Sequence, residues 1–454
     1  MIFAIVAFTV LLVYGAFQKG AVLVFDSMIV SAGVGILALI FFAFSARLKF
    51  PPASKAVLVM ALWVAGAGFF QLVPLSPSLL LALSPYSSQI WSALDPAGWF
   101  PIALAPSHAT IWLIRLSASL IAMFVARDIA WRSKWTWILV TPVLIVAGCE
   151  AILGLVQCYF SGQGVIAQGT YVNRDHYSGL MEMGIPLAVM AGVGTYQRGR
   201  KRYETSGLTA LYACGFFALA ASMIVAVLFT VSRMGFLTTL ATLLFIGSVS
   251  SSIALSNKLS ASLRWLPALV AGIVIAVAFI YLPTDALMDR FASMSKQDLS
   301  ADTRSQIWRD SLQFAAHVPW FGCGLGGYSS AILAFQHVAP MNSVIFAHND
   351  YIQAMVEFGL FGFVPLALLI GLALKGSLDR AFISREEPQH YLGIGCAGSL
   401  FAMLFHALAD FNLYIFANNL TFFWIAGVAL GIGAFRFELT SKWRRSRTQG
   451  LVKA

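Results

Sequence analysis

The chain alternates long apolar runs with short polar connections, and the runs have the length of a bilayer crossing. A hydrocarbon core about 30 Å thick takes about 20 residues of helix. On that scale the pattern predicts about twelve spans, at 1–17, 28–46, 56–74, 109–126, 136–158, 177–195, 208–230, 234–255, 265–283, 350–374, 391–414 and 419–437. The expected fold is all-α: a polytopic integral membrane protein in which residues 1–454 form one membrane domain. Only a few residues around Asn418 and Asn419 separate the last two spans, short enough for a re-entrant or tight turn. Arg115, inside the fourth span, is costly against lipid and should face the bundle interior or snorkel. The first run begins at Met1 without a basic leader or a small-residue cleavage site, so it reads as a retained helix.

Composition agrees with this pattern. Hydrophobic residues make up 59% of the chain and charged residues 11%, with a mean hydropathy of +0.81. Soluble domains carry about 25% charged residues, and so few charges could not cover a water-exposed surface. The five cysteines (Cys149, Cys158, Cys214, Cys323 and Cys396) have neither pairing nor metal-ligand spacing and read mostly as small buried hydrophobes.

The net charge of +10 changes the picture only through its distribution. Of 29 basic residues, 21 fall on alternate connections and in the C-terminal stretch that ends as a basic tail at 438–454. The positive-inside rule assigns that set, and both termini, to the cytoplasm. The charge then lies beside anionic headgroups of membrane lipids, and nucleic acid is not needed to explain it.

Three outer connections are long. Residues 75–108 are rich in Pro, Ser and aromatics and read as interfacial, with Trp91 and Trp99 at headgroup depth. Residues 159–176 follow, and then 284–347, a large, partly helical periplasmic loop. Within it 302–320 has helical apolar spacing, and 330–338 reads as a shorter helical stretch.

Unusual polar residues collect on this same face. They are Asn173, Arg174, Asp175 and His176; Ser232 and Arg233; Arg290, Arg304 and Arg309; His348, Asn349 and Asp350; and Asp410 with Asn412. Arginine offers a planar fork suited to phosphate, and histidine accepts a proton near neutral pH. Two arginines and one histidine at a lipid–water boundary suit a phosphate-bearing lipid: the histidine takes a proton from an attacking hydroxyl while the arginines stabilise a departing diphosphate. Each residue also has a plainer reading. His348 could cap the helix that starts near Asp350, Arg304 and Arg309 could pair with Asp302 and Asp310, and Arg233 could snorkel. The run "GCGLGG" at 322–327 imitates a phosphate loop, but no strand precedes it, and it reads as a turn. His337 and His348 lack neighbours in ligand register, so no metal site is expected.

The segment "HNDYIQAMVEFGLFG" at 348–362 resembles the signature of the O-antigen ligase and O-antigen polymerase superfamily, with His348-Asn349 followed at the family's spacing by Gly359 and Gly362. "RSQIWRDSLQFAAHVPWFGCGLGGY" at 304–328 is similar to the element upstream of it, although His317-Val318-Pro319 departs from the family's His-Pro corner by one residue. "VSRMG" at 231–235 looks like its Ser-Arg-Gly element with Met234 in place of the first Gly, and "GTYVNRDHYSG" and "FHALADFNLYIFANN" resemble further elements of one branch.

The resemblance implies a metal-independent, cofactor-free inverting glycosyltransferase of the bacterial inner membrane, with its active site on the periplasmic face. It implies an undecaprenyl-diphosphate-linked glycan as donor, and as acceptor either another glycan (a polymerase of O-antigen or exopolysaccharide) or lipid A-core (a ligase). A chain-length regulator is a further conceivable partner. By position, His348 corresponds to the residue that activates the acceptor, and Arg233 and Arg304 to those that hold the diphosphate. Arg174, His176, Arg290, Asn349 and Asp410 are secondary candidates, chosen for their location or motif position. The element at 405–419 tilts the reading towards polymerase. Protein O-oligosaccharyl transfer and a lipid-linked oligosaccharide flippase are the lesser alternatives; a transporter should carry its polar groups at mid-membrane and in repeats.

Overall fold

The computed structural model describes residues 1–45, 54–133, 137–160, 165–201, 207–255, 301–337, 344–383 and 388–432. The predicted span 265–283, Arg290 and the basic tail 438–454 lie outside them. Helices carry the fold: α1 (Ile2–Phe17), α2 (Val24–Ser45), α3 (Lys55–Phe70), α4 (Pro77–Leu83), α5 (Pro85–Ser92), α6 (Pro106–Arg132), α7 (Thr141–Phe160), α8 (Arg174–Lys201), α9 (Gly207–Thr230), α10 (Arg233–Leu255), α11 (Ala301–His317), α12 (Asp350–Ile383), α13 (Pro388–His406) and α14 (Phe416–Ile432). Among the described residues the extended pairing is a single antiparallel bridge, Leu75 to Phe100.

Among the described residues seven helices, α2, α6, α7, α8, α9, α10 and α12, are long and apolar enough to cross a membrane, while α1, α3 and α14 are apolar but shorter. Burial follows the logic of a lipid solvent. Phe25, Leu39, Phe44 and Phe160 are more than 70% exposed, and large apolar side chains on the outside are costly in water but neutral against lipid tails. The chain is a multi-pass membrane protein. Helix α8 is the most enclosed span, 83% buried over its apolar window, and packs against α7, α9, α10 and α13. Helices α14 and α6 meet backbone to backbone: a Cβ on Gly427 would lie 2.1 Å from the Met123 carbonyl, and one on Gly431 2.4 Å from that of Arg127. Small residues four apart are the usual means of such an approach.

The long connections hold more structure than their composition suggests. Residues 75–108 contain α4 and α5, each with Pro in its first turn, where the missing N–H is not needed. Helix α11 falls where its apolar spacing predicts, and the stretch expected at 330–338 is one α-turn (Tyr328–Ala331) plus one 3-10 turn (Ile332–Ala334).

Two differences from expectation shape the site. The span predicted at 391–414 ends at His406, and the chain turns through Ala407–Phe411 before α14. A helix end leaves carbonyls without partners, and here three residues from two segments satisfy them. The Asp350 N–H donates to Ala407 O (3.0 Å), Asn349 Nδ2 to Leu408 O (2.8 Å) and Arg304 Nη1 to Ala409 O (3.3 Å). The second difference is in α12, which is broken at Gly359 (φ 60°, ψ −178°). There the 322–327 turn, far from being a phosphate loop, docks on the exposed backbone: Cys323 N donates to Val356 O (2.8 Å) and Phe361 N to Trp320 O (2.9 Å). Gln71 bridges both partners, donating to Phe321 O and Glu357 O. A side chain at Gly359 would collide with the Trp320 carbonyl at 2.4 Å.

Candidate functional site

Asp410 lies in the turn after α13, 2% exposed, and three imidazoles face its carboxylate. His348 Nδ1 is 3.6 Å from Oδ1, while His176 Nε2 and His406 Nε2 are each 3.7 Å from Oδ2. These are ion-pair distances rather than hydrogen bonds, and none of the three nitrogens has another hydrogen-bond partner. Burial opposes ionisation of Asp410, but His176, His348 and His406 outweigh it and hold the carboxyl well below the usual carboxylate range. Behind the cluster the other nitrogen of His406 meets Glu182 Oε2 at 2.8 Å, and both side chains are fully buried. Phe411 separates two of the rings, standing edge-on to His176 (4.6 Å) and His348 (4.9 Å).

His348 differs from the other two histidines. Its side chain is 21% exposed, against 6% for His176 and none for His406. Its backbone has φ 49°, a conformation that costs a non-glycine residue on the order of 1–3 kcal/mol and persists only where neighbours enforce it. Trp308 Nε1 donates to the His348 carbonyl (3.3 Å), and the next two residues are tied to the end of α13 as described above. The capping role is taken by Asn349, whose Oδ1 accepts from the N–H groups of Tyr351 and Ile352, both at 3.0 Å.

The structure gathers His348, His176, Asn349 and Asp410 in one cluster, and Arg304 reaches it through the carbonyl preceding Asp410. Among the described side chains, Arg309 bonds Ser305, and Asp310 bonds Gln306 and His337; the side chain of Asp302 lies outside them. Arg174 is buried in the first turn of α8. Arg233 begins α10, where a Cβ on Gly235 would lie 2.8 Å from Ser178 Oγ, so this helix start sits beside the first turns of α8. Arg290 is outside the described residues.

Sequence reasoning missed His406 and Glu182. The spacing of His406 to Asp410, four residues, was a usable signal had the helix been known to end there. Glu182, an acid within an apolar run, carried the signal of any intramembrane charge. A cavity of about 430 Å³ opens against the cluster through His176 and Phe411 and is lined further in by Trp112, Arg115, Glu357 and Tyr414. Among the described residues no group of three or more His, Cys, Asp or Glu is arranged to hold a metal ion.

Fold and site define a multi-pass helical membrane protein with a buried aspartate among three histidines, beside a cavity. Residues 218–367 match the O-Antigen ligase family, bearing out the resemblance read from the motifs. That stretch runs from α9 into α12 and includes Arg233, Arg304 and His348. The chain is also 28% identical, over 177 residues, to Exopolysaccharide production protein ExoQ of Rhizobium meliloti (strain 1021). The similarity spans 36% of this chain and 40% of that protein, so the chain covers about two fifths of the relative's length.

Proposed function

We propose that this chain is a membrane glycosyltransferase of polysaccharide assembly, moving a glycan from undecaprenyl diphosphate to a sugar hydroxyl without a metal. The observation that carries this reading is the pairing of a strained, part-exposed His348, which lies with Arg304 in the stretch where the O-Antigen ligase family matches, with the deeply buried Asp410 beyond it. His348 takes the acceptor hydroxyl proton as oxygen attacks the anomeric carbon. The bond from that carbon to the phosphate oxygen breaks, and its electron pair leaves with the lipid diphosphate. Arg233 and Arg304 neutralise the departing charge, and a single displacement inverts the anomeric centre. Asp410 orients His348 and stabilises its protonated form. Asn349 holds the histidine's backbone, and His176 and Arg174 border the donor side; Arg290 is assigned there by location alone.

The same reading sets the chain in the bacterial inner membrane as one domain of about twelve spans, with both termini and the tail 438–454 cytoplasmic and the 284–347 loop and site periplasmic. The relative's role in exopolysaccharide production favours a polymerase with a glycan acceptor, for which a chain-length regulator would be a partner. The similarity to the O-Antigen ligase family keeps ligation to lipid A-core as the second reading. Purified protein given the lipid-linked glycan, with and without lipid A-core, tests both. A ladder on the lipid carrier supports polymerase, a shifted lipid A-core supports ligase, and transfer undiminished by His348→Ala removes the mechanism.

A further inference from the structure

Arg115 is absent from the mechanism above, yet it occupies a singular position. Below the 430 Å³ cavity lies a second one of about 110 Å³, and Trp112, Arg115, Glu357 and Tyr414 line both. The rest of the second cavity is lined mostly by apolar side chains, among them Leu366, Ile370, Phe422 and Phe423, with Asp350 and Asn419 as its other polar groups. The upper cavity reaches His176 and Phe411, at the histidine cluster. Arg115 therefore stands where the cavity at the histidine cluster adjoins a second, mostly apolar one.

The guanidinium is held by neutral groups alone. Nε donates to Ser27 Oγ (2.9 Å), Nη2 donates to the Val22 carbonyl (3.2 Å), and the plane lies over the Trp112 ring at 4.6 Å. Arg115 is 6% exposed, and among the described residues no carboxylate pairs with it. Glu357 also lines both cavities, but its carboxylate accepts from Tyr414 Oη (3.0 Å) and Gln353 Nε2 (3.3 Å) instead. A buried cation without a counter-charge is costly, and a stacked, tethered guanidinium loses little entropy on gaining an anion.

We propose that Arg115 is an anion-binding residue where the two cavities adjoin, taking negative charge from the lipid-linked substrate. The assignment rests on the glycosyltransferase reading but adds a cation from outside the family-matched residues 218–367. Two parts of such a donor carry that charge: the diphosphate, and an acidic substituent on the glycan. Full-length protein in detergent is titrated with undecaprenyl diphosphate against undecaprenol, and with a lipid-free oligosaccharide bearing one uronic acid against its neutral counterpart. Wild type should bind the charged member of at least one pair ten or more times tighter, and Arg115→Gln should lose at least tenfold for that ligand only. The affected pair identifies the source of the charge. If Arg115→Gln does not fold, Arg115→Lys, too short for both tethers, should weaken the same ligand at least threefold. Binding by the folded variant within twofold of wild type in both pairs overturns the Arg115 assignment alone. Wild type that binds neither charged ligand overturns it together with the glycosyltransferase reading.

Discussion

Two histidine–aspartate pairs lie close to α11, and they are built differently. His337 Nδ1 meets Asp310 Oδ1 at 3.0 Å, the His337 N–H donates to the other oxygen at 2.9 Å, and Gln306 Nε2 adds a third bond at 2.9 Å. That carboxylate is saturated, and its histidine side chain is 65% exposed. Asp410 instead faces three imidazoles at 3.6–3.7 Å. The first pair ties the 3-10 turn after Tyr328–Ala331 to α11, a structural clip. The second leaves His348 Nδ1 without a hydrogen bond, facing Asp410 Oδ1 at 3.6 Å. Residue type alone did not separate the two; saturation and burial do.

The sharpest break of this comparison is at the histidines themselves. His348→Ala should cut glycan transfer by about 10²–10⁴-fold, the usual worth of a general base, with donor binding intact. Single-turnover transfer alongside donor titration checks this, and equal loss of binding would return His348 to a structural role. Next in size, Asp410→Asn keeps the shape but removes the charge facing three imidazoles. Transfer should fall by roughly a hundredfold, and the pH profile of the residual activity should move. A fall in activity with an unmoved profile would mean that Asp410 only holds the turn.

Much of this arrangement was legible in the chain and some was not, for physical reasons. Hydropathy located α1–α3, α6–α10 and α12, because a lipid-facing helix must be apolar along its length. It missed the stop at His406, because Ala407, Leu408 and Ala409 are as apolar as the helix before them. Their carbonyls are satisfied by Asp350, Asn349 and Arg304, the second of these 59 positions away. The motif pointed to His348, but the cluster around it needed His406, whose partner Glu182 is 224 positions distant. Spacing cannot show a contact that only packing creates. Location was enough to bring out His176 and Asp410, since a polar group at a span end must face something other than lipid.

A smaller effect separates the two aspartates in acid. Burial raises the Asp310 pKa, but the hydrogen bonds from His337 and Gln306 outweigh it and leave the carboxyl below its ordinary value; Asp410 is held further down. A depressed carboxyl contributes stability that is complete above its unfolded value of about 3.9 and is lost as pH falls through the folded one. Neither aspartate should therefore change stability between pH 7 and pH 5. Below about pH 4 the Asp310 clip should weaken first. Hydrogen exchange of α11 against the turn after α13, followed on acidification, checks the order, and simultaneous loss would erase the distinction.

The smallest effect is expected at the clip itself. His337→Ala removes a mostly exposed partner, and such pairs contribute under about 1 kcal/mol. The Gln306 bond to Asp310 remains, as does the backbone N–H of residue 337. The melting temperature should move by a few degrees at most, and transfer should stay within about twofold of wild type. The variant is informative because it removes the same side chain as His348→Ala, from the same face of the molecule. A large loss of transfer at His337 would show that the clip on α11, and not Asp410, sets the geometry of the site.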